Sequence, residues 1–493
     1  MHKLFPIFIC FLVVISCQAK IIYVDDPANF NNIQAAIDDS DDGDIVIVKP
    51  GIYTGPGNRD IDFKGKAITV RSTDPFDPCV AAATVIDCNN GGRGFYFHSG
   101  EGEGSVLAGI TITKGSNKRG SGICIENASP TVTHCIIQNN WLLSYDGPTV
   151  LAYGGGIDIN GGSPTVSHCV ITNNFAHKGG GIHCYSGDPR IEYCLIKDNS
   201  SRRVGAGICV LTNSSPIISQ CTIIGNVSSL NTGGGVYSMY SSPTIEGCVI
   251  SHNRSGYGGA GISVDGGRAV ISQCTVTDNS ASNLWGGGMD MELSSVTISN
   301  CIFWNNMAPN GSEIGIYSWS GQTDSGNAGS NVSPTAELEV SYSNIHGGHL
   351  GIYVFGEPNL FVLNWGAGNV DTDPCFAQPG FWRGLWPKYV WVDGDHHLKS
   401  QAGRWDANEG QWTKDEVTSL CIDAGDPHSP IGLEPFPNGG IINMGAYGGT
   451  EEASKSYFGK PVCETIVTGD INGDCIVNFK DFALMAYHWL EER

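Results

Sequence analysis

The chain has 493 residues, 67 of them Gly, with only 15% charged residues and a formal net charge of −22. So much Gly with so few charges suits many short strands joined by tight turns rather than helices. The acidic balance excludes a surface built for nucleic acid, which needs a basic face.

At the N-terminus, His2 and Lys3 precede an apolar run from Leu4 to Ile15, with small and polar residues after it. Residues 1–19 therefore read as an export signal with Ala19 at the cleavage point; the run is short for a membrane span. Val14-Ile15-Ser16-Cys17 also fits a bacterial lipobox, in which Cys17 carries lipid. The two readings place the chain outside the cell, secreted or held at the surface as an outer-membrane lipoprotein. Residues 20–117 follow as a cap and irregular first coils. Asn31–Ile37 (NNIQAAI) has helical spacing and is predicted to cap an open end, while Gly43–Val48 and Lys66–Val70 read as strands.

From 118 to 307 one unit recurs, as in GGGIDINGGSPTVSHCVITNN (154–174) and GGGVYSMYSSPTIEGCVISHN (233–253). It runs from a glycine turn through a strand, Ser-Pro, a second strand, Cys and a third strand to Asn. Cys135, Cys169, Cys194, Cys221, Cys248, Cys274 and Cys301 share one slot; five residues on stand Asn140, Asn174, Asn199, Asn226, Asn253, Asn279 and Asn306. The cysteines recur every 25 to 27 residues, with one gap of 34 that holds an insertion around 141–153. A unit this short cannot form its own core, so it must stack on its neighbours at about 4.8 Å per coil. The asparagines then form a ladder of side-chain amides, and the cysteines a column of buried thiols with poor geometry for bridging. Cys79 with Cys88, outside the column, is the better disulfide candidate, and Cys375 with Cys421 a weaker one. Over 308–460 closing coils are expected, with Ser343 in the cysteine slot and insertions at about 308–335 and 376–418.

The NNIQAAI opening, the GDIVIVKPGIYTG stretch and the GGGI…SPT…C…N repeats resemble pectin-lyase-like β-helix proteins, most of all the large secreted set of planctomycete-type bacteria. GNVDTDP (368–374), CIDAGDP (421–427) and NMGAYGGT (443–450) resemble the closing coils of that set. The fold implied is all-β: a right-handed parallel β-helix solenoid with a short N-terminal capping helix. The resemblance specifies activity poorly, because this fold hosts lyases, hydrolases, adhesins and tail spikes.

In the strand after each glycine turn, side chains alternate inward and outward. The outward slots hold Asp158, His183, Tyr185, Tyr237, Asp265, Asp290 and Glu292 among others, an acidic and aromatic stripe such as a sugar groove presents. Asp265 and Glu292 occupy one slot on neighbouring coils, with Asp290 two residues before Glu292. Three such carboxylates repel unless a cation or proton intervenes, so they can hold Ca²⁺, act as acid and base on a glycosidic bond, or form a plain solvated strip. Asp265, Asp290 and Glu292 are the candidate catalytic set; Asp158, His183, Tyr185 and Tyr237 are candidate substrate contacts. Asp393–Lys399 (DGDHHLK) with Arg404 and Trp405 is a second candidate, or a plain edge strand in the closing coil.

Residues 465–493 form a small loop-helix module. Asp470, Asn472, Asp474, Asn478 and Asp481 fall at positions 1, 3, 5, 9 and 12 of a loop, with the Ile476 carbonyl at position 7, an oxygen set suited to Ca²⁺. Asp at position 12 and Cys475 at position 6, followed by an apolar helix, resemble a dockerin repeat. The resemblance implies a cohesin-like or surface partner; only one repeat is visible where dockerins usually carry two. Two functions remain open: a polysaccharide lyase or glycosidase tethered through its tail, or a non-catalytic adhesin-type scaffold that binds glycan. Either acts as a monomer on a polysaccharide or cell-wall glycan.

Overall fold

The computed structural model describes residues 19–24, 30–141, 151–318, 335–383, 390–459, 469, 471 and 476–489. Each repeat lays one strand in each of three parallel sheets. Ile157–Asn160, Thr165–Ser167 and Val170–Thr172 are one such coil, and Phe175–Lys178 adds a strand to a short fourth sheet before the next glycine turn. Among the described residues the three long sheets hold 13, 11 and 11 strands, with every neighbour one coil away. The result is the expected right-handed all-β solenoid.

The stacking follows from residue type. Ile157, Ile182 and Ile208 pair in register along the core side of the glycine-turn sheet, and all three are fully buried. Trimming one such rung to Ala would cost about 2–5 kcal/mol. The corners are made by single residues in the left-handed region: His168 (φ 52°) just before Cys169, and Asn173 (φ 55°) just before Asn174. Asn174 shows the ladder geometry: its Oδ1 accepts from Asn140 N and Nδ2, both at 3.0 Å, while its own Nδ2 donates to Ile137 O at 2.9 Å. Each rung thus satisfies a buried corner that would otherwise leave backbone groups unpaired. The cysteine column is buried throughout, and Ser343 does take the next place, its Oγ accepting from the Cys301 N–H at 3.1 Å.

NNIQAAI folds as the helix Ile33–Asp38. Asn32 caps it by accepting from Ala35 N at 2.8 Å, and Ile33, Ala36 and Ile37 are buried against the first coils. Two expectations need correction. Cys79 and Cys88 are unbridged thiols, one exposed on the short helix Pro78–Ala83 and the other buried in the core; Cys375 and Cys421 are also unbridged. The closing coils run through Phe361–Trp365 to a last parallel bridge of Val370 with Asn344, after which the described strands pair antiparallel and the chain returns along the outside of the third sheet. That wrap is fastened to the solenoid: Ala446 N donates to Thr275 Oγ1 at 3.0 Å and Gly445 N to Asn300 O at 2.8 Å. The insertion at 376–418, rich in Trp and Gly, makes hairpins of its own, so it does not stack as a rung.

Candidate functional site

The glycine turn decides which outward side chains reach solvent. It folds back over the first outward residue of the strand that follows it. A Cβ on Gly154 would lie 2.6 Å from Asp158 Cα; on Gly179, 2.6 Å from His183 Cβ; on Gly233, 2.6 Å from Tyr237 Cβ. Only glycine, at φ near +60°, permits that approach. The first outward slot is therefore covered, and the second, two residues on, is open.

This corrects half of the expected stripe. Asp158 is 0% exposed and His183 1%, and they bond to one another, Oδ1 to Nδ1 at 2.6 Å, with Arg119 3.6 Å from Asp158. They form a buried polar pair beneath the turns and do not meet a ligand from solvent. Tyr185, in the open slot, is exposed but stands apart from the cleft described next.

The structure gathers the remaining four. Tyr237, Asp265, Asp290 and Glu292 line one cleft of about 390 Å³ on the outer face of the glycine-turn sheet. Asp265 and Glu292 are register partners on adjacent strands, as expected. Tyr237 donates from its hydroxyl to Asp265 Oδ2 at 3.3 Å. Asp290 stands in the covered slot at the cleft floor. Its Oδ1 is sealed from solvent without a hydrogen-bond partner, and a Cβ on Gly258 would sit 2.5 Å from its Oδ2. Burial, with Asp265 and Glu292 nearby adding repulsion against a bond from Ser263, pushes the Asp290 carboxyl up to about 8. Burial thus favours the protonated form of Asp290 beside two further carboxyl groups. Burial also raises the Tyr317 hydroxyl, with Glu292 adding to the effect.

The cleft wall is aromatic, and sequence reading missed it. Trp285 stacks on Tyr317 (5.4 Å, 15°) and Phe355 (5.1 Å, 18°), and Tyr257 lines the same cleft. Gly315 makes room: a Cβ there would lie 2.8 Å from Trp285 Cδ1. A signal was present, since Trp285 stands immediately before a glycine turn, where Tyr153 stands in an earlier coil. No Lys, Arg or His lines the cleft among the described residues. Nor are three His, Cys, Asp or Glu side chains gathered there or elsewhere among them so as to hold a metal ion.

The second candidate resolves into a structural knot. Asp395–Leu398 pairs antiparallel with Phe376–Gln378. Asp395 holds His397 Nδ1 at 2.6 Å and Arg404 Nη1 at 3.1 Å; Arg404 also bonds Asp415, and His397 stacks on Tyr447 at 3.6 Å. His396 and His397 are buried, so this set ties the wrap together.

Of the loop ligands, Asp470, Asn472 and Asp474 lie outside the described residues. Asp481 is buried and accepts from Ile471 N at 2.8 Å and Asn478 N at 2.7 Å, drawing the two ends of the loop together ahead of the helix Phe479–Trp489. Cys17 and the export segment likewise lie outside the described residues.

The profile described as "right handed beta helix region" matches residues 80–236 and 226–332. No curated protein matches the chain. Among solved structures, pectate lyase Pel9A is 14% identical, with a TM-score of 0.49 over 87% of this chain and 96% of that one. The PL6 family alginate lyase AlyGC is 13% identical, with a TM-score of 0.32 over 82% of this chain and 57% of that one. A pectin methylesterase from Aspergillus niger is 13% identical, with a TM-score of 0.33 over 60% and 87%.

Proposed function

The chain belongs to the right-handed β-helix family, and on that scaffold we propose that the cleft around Asp290 binds a neutral glycan and hydrolyses it. One observation carries this reading: a carboxyl with one oxygen sealed from solvent, its proton favoured by burial, shares a cleft with two other carboxyl groups beneath an aromatic wall. Glycosidic hydrolysis needs those parts. Asp290 gives its proton to the departing oxygen, while Asp265 and Glu292 face the positive charge that develops on the sugar, and one of them activates water or attacks directly. Trp285 and Tyr317 offer flat apolar surface to the C–H face of a sugar ring.

Charge selects the substrate class. A uronate polymer would bring its own carboxylates to three acids with no cationic residue among the described lining. Elimination would also lack a basic side chain there. A neutral glycan avoids both difficulties. The chain is proposed to work outside the cell after loss of residues 1–19, or lipidated at Cys17. The tail, with Ca²⁺ at Asp470, Asn472, Asp474, Ile476, Asn478 and Asp481, is proposed to tether it to a cohesin-like or surface partner.

The buried Asp290 Oδ1 favours a second reading, in which the acid is structural and the cleft only binds glycan. Assay of purified protein on neutral and uronic polysaccharides separates them. Release of reducing ends from a neutral polymer, lost in Asp290→Asn, supports hydrolysis. Retained binding with every polymer intact leaves the scaffold reading.

A further inference from the structure

A second groove lies where the C-terminal wrap meets the solenoid. One part, of about 360 Å³, runs between Arg254, Ser282 and Met307 on the solenoid and Phe381 and Trp391 on the wrap. The other, of about 420 Å³, runs between Trp304 on the solenoid and Pro379 and Lys399 on the wrap. The two parts adjoin at Asp278 and Asn305, which line both and where Asn305 Nδ2 donates to Asp278 Oδ1 at 2.5 Å. The walls are fixed. Trp391 stacks on His252 at 3.8 Å and 4°, and Lys197 pairs with Asp393 at 2.6 Å.

The path of the chain joins this seam to the acidic cleft. Ser282 lines the seam and Leu284 the cleft; Arg254 lines the seam and Tyr257 the cleft. The ridge between them is two or three residues wide, roughly 10 Å at full extension. The seam therefore lies within a few residues' reach of the cleft.

The seam's chemistry suits the same polymer. Met307 (60% exposed) and Phe381 (40%) offer apolar surface, while Ser280, Ser282, Asn305 and Asp278 offer donors and acceptors for hydroxyl groups. Its charges offset, Arg254 and Lys399 against Asp278 and Asp373. A purely apolar ligand would leave the Asp278–Asn305 pair desolvated without new partners.

We propose that the seam is a second glycan subsite, which holds the same neutral polymer beyond the ridge while the cleft holds the linkage to be cut. This rests on the reading of the cleft as a glycan site. The test uses the full mature chain and labelled oligosaccharide ladders, disaccharide to decasaccharide, made from xylan, mannan and β-glucan. For the ladder that binds, affinity should climb about tenfold or more once the oligosaccharide outgrows the cleft. Ser282→Trp, which plugs the seam at an exposed position, and Met307→Ala should erase that gain, leave short-oligosaccharide affinity unchanged and leave thermal unfolding in place. A gain that survives in both variants, or affinity that stops climbing at cleft length, overturns the seam and spares the cleft. No binding at any length overturns both.

Discussion

Glu313 closes the asparagine ladder: its Oε1 accepts from Asn306 N at 3.2 Å and its Oε2 from Asn306 Nδ2 at 2.6 Å. The side chain is 1% exposed, and burial pushes its carboxyl from 4.5 up to about 8. Between those values the folded chain holds a proton that the unfolded chain has lost. The contribution of Glu313 to stability is therefore fully present below 4.5 and lost as pH rises through about 8. Asp290 contributes with the same sign. Denaturant unfolding across that window should show the decline, and Glu313→Gln should flatten its Glu313 share while costing about 1 kcal/mol for the acceptor lost. An unchanged slope in the variant would refute the assignment.

Turnover should track the Asp290 proton. Hydrolysis is expected to hold on the acid side and fall as pH rises through about 8, because the donor is then ionised. Asp290→Asn should lose about 10²–10⁴-fold in kcat while binding persists. A pH profile flat across that point in the native chain would remove Asp290 from the chemistry.

Gly315 and Trp285 should behave as one unit. Trp285→Ala removes the wall, and Gly315→Ala places a Cβ 2.8 Å from Trp285 Cδ1 and 2.9 Å from Gly286 N, displacing the ring. Both should weaken glycan affinity by about tenfold, roughly 1.4 kcal/mol. The double variant should lose little more than either alone, and calorimetric titration of all three decides it.

Calcium should protect the tail. Protease cleavage within 460–478 is expected to slow on adding Ca²⁺, and Asp481→Ala should abolish that protection, since it also releases the Ile471 and Asn478 amides. Equal cleavage with and without Ca²⁺ would return the loop to an ordinary turn before a helix.

Thiol reactivity should divide by burial. Cys79, exposed on its short helix, should take an alkylating label at once, whereas Cys135 through Cys301 should label only on unfolding. Peptide mapping of the labelled chain reads this directly, and a Cys79–Cys88 disulfide peptide would contradict the structure.

Much of the architecture was legible in the residues. Cys169 and Asn174 recur in fixed slots, and a fixed slot in a solenoid means a column, so the thiol and amide ladders followed from spacing alone. Asn32 ahead of IQAAI announced the cap. The register of Asp265 with Glu292 came from the same periodicity.

What periodicity could not give was cover. Alternation along a strand says which side a residue leaves from, and Asp158 and Asp265 both leave outward. Whether solvent meets them depends on the glycine turn folding back over the first slot, a contact between backbone and backbone. The same holds for Trp285 and Tyr317, some thirty residues apart in sequence and stacked face to face, and for the wrap that turns Asp278 and Asn305 into the floor of a groove. By itself the sequence determined the repeat, the inward columns and the helix at the N-terminal end, because these rest on local pattern and nearest-neighbour stacking. Only the tertiary structure decided which acids are buried, which are open and which aromatic rings meet them, because cover is set by how each glycine turn closes over its own strand and by which chain from other coils arrives beside it.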